Sequence, residues 1–402
     1  MGQPSNLPYL SGGLHFLSLA YIEYDRAMVW KKGLLHAGLF IVTFVTTTLA
    51  GASWTHGTSV FTGTFTWADF ASGLPYSICF LSILTAHEFG HYFVARYHKV
   101  KATLPYYIPL PPLPFFFGTL GALIRLKSQV PSTRQHFDIG VAGPLAGFVV
   151  ALGFLWYGFT HLPPPEYVFQ FHPNYKVFGL DYANHVYTDE FMKGGADVLI
   201  GKNLLFLFFE NWVADPARMP NPHEIIHYPF LFAGFLSLVF TSLNLLPMGQ
   251  LDGGHVVYGL FGYKRHFQIA ALVFLVFLFY AGLGYVDPRA GAEALLWQVP
   301  LTIGFYFFAL KGLGLSQINT ATLAVGIFAL QHGLAFFVPG ITGYSGWLLF
   351  AFLIGRFMGI AHPPSQDETP LDLPRKIIGW VALVVFILCA SPNPINIRLI
   401  EP

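Results

Sequence analysis

His87-Glu88-Phe89-Gly90-His91 places two imidazoles one helical turn apart, with a carboxylate between them. On a helix this spacing presents both rings on one face, the arrangement a tetrahedral zinc ion needs, and the glutamate can take a proton from an activated water. The motif lies inside an apolar run, Ile78 to Phe89 reading ICFLSILTAHEF. The predicted hydrolytic apparatus therefore sits in or near a bilayer. A catalytic zinc site usually has three protein ligands and an open water position, so a third ligand must come from elsewhere. Asp252, in Asn244-Leu-Leu-Pro247-Met-Gly-Gln-Leu-Asp252-Gly-Gly-His255, is the strongest candidate. Its carboxylate directly follows an apolar span, where an ionisable group is costly unless paired. Pro247, Gly249, Gly253 and Gly254 are expected to break the helix and turn it inward.

The elements that must position these groups follow from composition. The 402 residues are 54% hydrophobic and 17% aromatic, with only 10% charged. A soluble domain carries about 25% charged residues, so the fold class predicted is an all-α polytopic membrane protein. A formal net charge of +1 and the lack of any Lys/Arg block argue against nucleic-acid binding. Cys79 and Cys389 both fall in apolar runs, which leaves neither a disulfide framework nor a cysteine zinc site. The polar opening of the sequence and Lys31-Lys32 suggest an uncleaved anchor rather than a signal peptide.

Apolar runs at 33–53, 75–95, 138–160, 229–248, 267–286, 296–312, 319–338, 344–360 and 376–391 predict about nine spans, within a range of seven to nine. With the N-terminus in the cytoplasm, fifteen of the 21 Lys and Arg fall inside and six outside. The organisation expected is a cytoplasmic segment 1–32, a first span and external loop 33–74, and a catalytic core 75–161. An extracytoplasmic insertion 162–227, a span carrying LDGGH at 228–266, and further spans at 267–402 complete it. Five prolines between Leu104 and Phe117 exclude a regular helix, and Gly118 to Arg125 is β-like. The stretch 102–130 therefore reads as a re-entrant hairpin on the cytoplasmic side. Leu199 to Trp212 reads as an amphipathic surface helix, and the small-residue span around Gly143 to Gly147 is expected to pack on the His87/His91 helix.

The two motifs together resemble those of the site-2 protease family of intramembrane zinc metalloproteases, of the M50 type. HEFGHYFVARYHKVKATLPYYIPLP, FGTLGALIRLKS, FDIGVAGPLAGF and NLLPMGQLDGGH are similar to the subfamily shared by bacteria and chloroplasts, over about residues 75–265. HPPSQDETPLDLPRKIIGW fits the same subfamily. The resemblance implies one zinc ion on His87, His91 and Asp252, with Glu88 as general base and acid. It also implies Asn244 near the site, orienting substrate or stabilising an oxyanion; for Asn244 an interhelical hydrogen bond is the competing reading. The chain departs from many bacterial relatives in having no recognisable PDZ domain, since 162–227 is too short and too aromatic for one.

The function expected is zinc-dependent cleavage of peptide bonds in or near transmembrane segments, with a single-span membrane protein as substrate and lipid as the other partner. Gly118, Thr119, Leu120 and Gly121 are candidates to hold an unwound substrate by strand addition. The membrane expected is a bacterial inner membrane, with the active site nearer its cytoplasmic face because Arg96, Lys99 and Lys101 follow His91. The alternatives are a metal transporter, which has little need of a glutamate between two ligands, and an inactive protease-like scaffold. His255 is read as a packing or supporting residue, and His98, His136, His332 and His362 as interfacial or structural.

Overall fold

The computed structural model describes residues 11–111, 113 and 116–400, with side chains from residue 31 onward. Residues 1–10 of the predicted N-terminal segment, and Pro112 and Pro114 of the proline-bearing stretch, lie outside the described residues. The chain is mostly helical. Helix α1 (Ser11–His56) is followed by the short α2 (Trp67–Ser72) and by α3 (Leu74–Tyr97), which carries the first motif. A hairpin of β1 (Tyr106–Pro109) and β2 (Thr119–Leu123) leads to α4 (Thr133–Thr160). The insertion is built of 3-10 turns, the one-turn α5 (Ala183–Val186), strand β3 (Ala196–Ile200) and α6 (Leu204–Trp212). Helices α7 (Pro229–Asn244) and α8 (Asp252–Gly282) flank the second motif. Then come α9 (Ala292–Leu310), α10 (Gln317–Phe337), α11 (Trp347–Leu353), α12 (Leu373–Cys389) and strand β4 (Ile395–Leu399).

Six helical segments among the described residues are long and apolar enough to cross a membrane: Lys31–His56, Leu74–Tyr97, Thr133–Thr160, Asp252–Gly282, Ala292–Leu313 and Gln317–Phe337. The runs expected at 229–248, 344–360 and 376–391 form shorter helices, Pro229–Asn244, Trp347–Met358 and Leu373–Cys389. The apolar run expected at 33–53 falls within the segment Lys31–His56, and the helix that carries it extends back to Ser11. Leu199 to Trp212 divides into two elements: β3 pairs antiparallel with β4, and only Leu204–Trp212 is helical, burying Leu205, Phe206 and Phe209. That strand pairing joins segments half the chain apart, and no local pattern foretells it.

Several threonines inside the apolar helix α1 are satisfied locally. Thr47, Thr48 and Thr55 hydroxyls donate to carbonyls four residues back, at 2.7 Å each. Such back-bonding lets a hydroxyl sit in a low-dielectric environment without an external partner. Thr47 also meets Ser77 at 2.8 Å, joining α1 to α3. The two helices approach so closely there that a Cβ at Gly73 would overlap the Thr48 carbonyl, and one at Gly51 would lie 2.7 Å from the Gly73 oxygen. Small residues at crossings are how helices gain contact area in lipid, where no hydrophobic effect drives them together.

At the opposite end, Arg375 at the start of α12 makes a bidentate pair with Asp138 of α4, both contacts 2.8 Å. His98, capping α3, reaches the same carboxylate at 2.9 Å. Arg134 donates to the Pro370 carbonyl at 2.8 and 3.0 Å. The segment before α12 is thereby fastened across the mouth of the α3/α4 pair.

Substituting Gly73 by Leu should force α1 and α3 apart and cost about 1–3 kcal/mol, the usual scale of overpacking. Gly38→Leu, at a position open to its surroundings, is the control and should leave stability unchanged. Denaturation of the two variants in the same detergent checks this; equal midpoints would refute the close-packing account.

Candidate metal centre

The site is assembled from α3, α4 and the start of α8. His87 and His91 stand one turn apart on α3, both buried, with their Nε2 atoms 3.0 Å apart. Each Nε2 lies 3.4 Å from Asp252 Oδ2. Four ligands held tetrahedrally at about 2.0–2.2 Å from a zinc ion lie about 3.3–3.5 Å from one another. The two edges to Asp252 match that spacing, and the edge between the imidazoles is about 0.3 Å shorter.

The protonation pattern fits as well. His91 Nδ1 donates to the Ile139 carbonyl at 2.7 Å, so in the neutral ring Nε2 presents a lone pair. A second imidazole nitrogen and a carboxylate oxygen face it, a donor set that suits zinc. The carbonyl partner also fixes the ring plane, the usual role of an outer hydrogen bond at a metal ligand.

Helix α4 makes room for these rings. A Cβ at Gly143 would overlap the His91 imidazole, and one at Gly147 would lie 3.1 Å from His87 Cβ. Gly90, on the α3 side, would place a Cβ 2.6 Å from the Ala142 carbonyl oxygen. The small-residue span packs on the His87/His91 helix as the sequence implied, and Gly143 is a position where nothing larger fits.

Asp252 is the first residue of α8, after a turn in which Gly249 takes φ +54°. Gly253 and Gly254 do not break the helix, contrary to the sequence reading. They form its first turn, where a Cβ would overlap the Leu245 and Gly249 carbonyl oxygens. Their role is close approach of backbones, and this pulls the carboxylate under the α7 terminus. The helix is broken just before these glycines, between Asn244 and Asp252, where Pro247 and Gly249 lie, and a further kink follows at Gly262, where φ is +76°.

Glu88 is buried beside the ligands, and the Ile124 backbone N–H just after β2 reaches its carboxylate. Asn244 ends α7 and lines the same cavity of about 370 Å³ as His87, Glu88, His91 and Asp252. The hairpin forms one wall: Ala122 and Leu123 line this cavity, and Leu120 and Gly121 line an adjoining one with Glu88 and Asn244. β1 pairs antiparallel with β2, Tyr106 opposite Leu123 and Tyr107 opposite Ala122. The hairpin is tied to α1 by Thr46 donating to the Gly118 carbonyl at 2.7 Å and by Trp54 donating to Phe116 at 2.9 Å. Tyr107 and Thr85 hydroxyls meet at 2.8 Å and tie it to α3. Gly118 and Gly121 take φ +82° and +103°, which explains both glycines.

Beside Asp252, His255 Nδ1 and His362 Nε2 are 2.8 Å apart, and His136 stacks on His255 with ring centroids 5.4 Å apart. A Cβ at Gly140 would lie 2.6 Å from that of His255, so His255 packs at the α4/α8 crossing. His136 and His362 are thus neighbours of the site rather than isolated interfacial residues. Sequence reasoning also passed over a second H-E-x-x-H, His223-Glu224-Ile225-Ile226-His227, legible by pattern alone.

The profile of peptidase family M50 matches residues 75–281, more than half of the chain. The chain belongs to peptidase family M50. It is 30% identical over 191 residues to the "Probable zinc metalloprotease EGY1, chloroplastic" of Oryza sativa subsp. japonica, covering 48% of this chain and 28% of that protein. The protein of the same name from Arabidopsis thaliana is 31% identical over 191 residues, again 48% of this chain and 30% of the relative. A longer match, 27% identical over 344 residues, joins 82% of this chain to 44% of the "Probable zinc metalloprotease EGY3, chloroplastic" of Oryza sativa subsp. indica. The chain thus matches less than half the length of these M50 relatives.

Gly143→Val should push the His91 ring out of line and weaken zinc binding by at least about tenfold, the scale for disturbed ligand orientation. Zinc per chain after dialysis against a graded chelator series checks this, and unchanged retention would rule it out.

Proposed function

We propose that this protein is a zinc-dependent intramembrane endopeptidase that hydrolyses peptide bonds in or near transmembrane segments of membrane proteins. The observation that carries the proposal is the meeting of His87 Nε2, His91 Nε2 and Asp252 Oδ2 at 3.0–3.4 Å, with Glu88 beside them and a strand along the cavity wall. The names of the M50 relatives, zinc metalloproteases, support the same reading.

His87, His91 and Asp252 would hold the zinc ion. Bound there, zinc supplies Lewis acidity that activates water and polarises a scissile carbonyl. Glu88 accepts a proton from the attacking water and delivers it to the amide nitrogen as the C–N bond breaks. Asn244, on the cavity wall, donates its amide N–H to the oxygen on which negative charge grows. His91 is kept in its ligating tautomer by the Ile139 carbonyl.

A transmembrane helix hides its backbone from hydrolysis, so the substrate must unwind first. We assign the extended form to strand addition on Gly118 to Gly121, because main-chain pairing is independent of side-chain sequence. Leu120 is 68% exposed, which supports a surface available for a partner.

The hairpin is proposed as the re-entrant element and the nine helices as nine spans, the three short ones partly submerged. The excess of Lys and Arg on one side supports a cytoplasmic N-terminus and an active site nearer that face. The membrane proposed is a bacterial inner membrane, on the similarity of the long motif stretches; a single-span protein is the proposed substrate. A transporter is less well supported, because Glu88 coordinates nothing in the ligand set and points to proton transfer.

Purified protein in detergent, incubated with a panel of single-span substrates, should cleave in a chelator-sensitive manner. Glu88→Gln should retain zinc and lose at least about 10³-fold in turnover. Asn244→Ala should retain zinc and lose about 10²–10³-fold in kcat, the scale for one oxyanion donor. A Glu88→Gln enzyme that still cleaves would sink the mechanism.

Gly121→Val strains a backbone at φ +103° on the cavity side of β2. Zinc content should be unchanged while cleavage of membrane substrates falls. Full activity in that variant would remove strand addition from the account.

A further inference from the structure

The second H-E-x-x-H lies in the loop before α7, at the far end of that helix from Asn244. Sixteen helical residues separate the two ends, about 24 Å at 1.5 Å per residue. This motif does not form an α-helix. Ile225–His227 is a single 3-10 turn, and Tyr228, preceding Pro229, is extended at φ −105° and ψ 92°. His223 consequently turns away, to Asp197 at 2.5 Å, with its ring stacked on Tyr187.

Glu224 and His227 turn instead toward His172, which caps the 3-10 segment Pro173–Asp181. His172 Nε2 and His227 Nε2 are 3.1 Å apart. Glu224 Oε2 lies 3.4 Å from the first and 3.5 Å from the second. This triangle has the same edges, within a tenth of an ångström or so, as the one formed by His87, His91 and Asp252. His227 Nδ1 donates to the Thr55 carbonyl at 2.6 Å, so the neutral ring points the lone pair of Nε2 into the triangle. Glu224 is 2% exposed; its Oε1 accepts from the Tyr187 hydroxyl at 2.6 Å. Its Oε2, equally buried, has no hydrogen-bond partner among the described residues. A buried, unpartnered carboxylate oxygen is expensive, and a cation at this point removes the cost.

We propose that His172 Nε2, His227 Nε2 and Glu224 Oε2 bind a second divalent metal ion, zinc by the chemistry of the donor set. Two imidazoles and one carboxylate suit zinc and leave a fourth position, which opens on a cavity of about 280 Å³. The ligands come from two separate parts of the 162–227 insertion. Through Thr55 the site also touches the end of α1, and through His227 the start of α7. The ion therefore pins the insertion onto the helices that carry the hairpin and Asn244.

The test counts metal on the full chain in detergent, stripped with chelator, reloaded with zinc and dialysed. Wild type should retain two zinc ions per chain and the double variant His87→Ala/His91→Ala one. Glu224→Gln should also retain one, and combining all three substitutions should leave none. His172→Ala, at a partly exposed ring, repeats the loss with less risk to folding, and His223→Ala should keep both ions. Because the double variant lacks the first site, its remaining zinc reports on the second alone, whatever becomes of the protease reading. A double variant that binds no zinc overturns the proposal, leaving His172, Glu224 and His227 as a hydrogen-bonded cluster. So does a Glu224→Gln variant that still holds two.

Discussion

The closeness of α3 and α4 is the constraint on which the remaining architecture depends. Lipid offers no hydrophobic drive for helices to associate, so contact must come from surfaces that fit. Gly90, Gly143 and Gly147 supply that fit, and they do so at the residues flanking the two histidines. The same step that packs the helices therefore sets the imidazoles against a wall and leaves them one open side. Asp252 enters on that side, at the head of α8. An aspartate placed there without a partner would destabilise the bundle. Packing and chemistry are in this sense one requirement: the glycines that bring the helices together also leave His87, His91 and Asp252 facing one another.

Irregular backbone beside the buried polar site must also be kept satisfied. The β1–β2 hairpin meets this by pairing with itself and by donating and accepting at α1 and α3 through Thr46, Trp54 and Tyr107. Gly118 and Gly121 both take positive φ, and a Cβ at Gly118 would overlap the Thr46 carbonyl of α1. The segment before α12, held by Arg375 and Arg134, closes the opposite side with His362 against His255. The C-terminal part of the chain is thus part of the site's wall.

Much of this was legible before any coordinates. The i, i+4 histidines, the glutamate between them and the aspartate in a broken apolar run are strong local signals, and the structure gathers all of them. The small-residue span on α4 was legible for the same reason, since side-chain size is read directly from sequence. What sequence could not carry is pairing over long separations. Nothing local says that Ala196–Ile200 is a strand, because its partner is Ile395–Leu399. The His136–His255–His362 group is equally hidden, as three elements supply one ring each. Gly253 and Gly254 misled for a different reason: glycine marks either a turn or a close approach, and only the neighbouring carbonyls decide.

The two H-E-x-x-H motifs show how far a motif alone constrains structure. The first lies in a 24-residue helix whose only proline is in the first turn, so the spacing becomes geometry and both rings share a face. The second is followed at once by Tyr228-Pro229, which excludes an α-helical continuation because a residue before proline is driven toward extended backbone. There His223 and His227 part, and a histidine 55 positions earlier takes the place of the missing partner. Identical residue types at identical spacing thus reach comparable triangles of donors by unrelated routes. The spacing brings both histidines together only where the backbone is helical; in the loop the motif contributes Glu224 and His227, and His172 completes the triangle. That is why a regular helix supports the first site and a loop, fixed by Thr55 and Tyr187, supports the second.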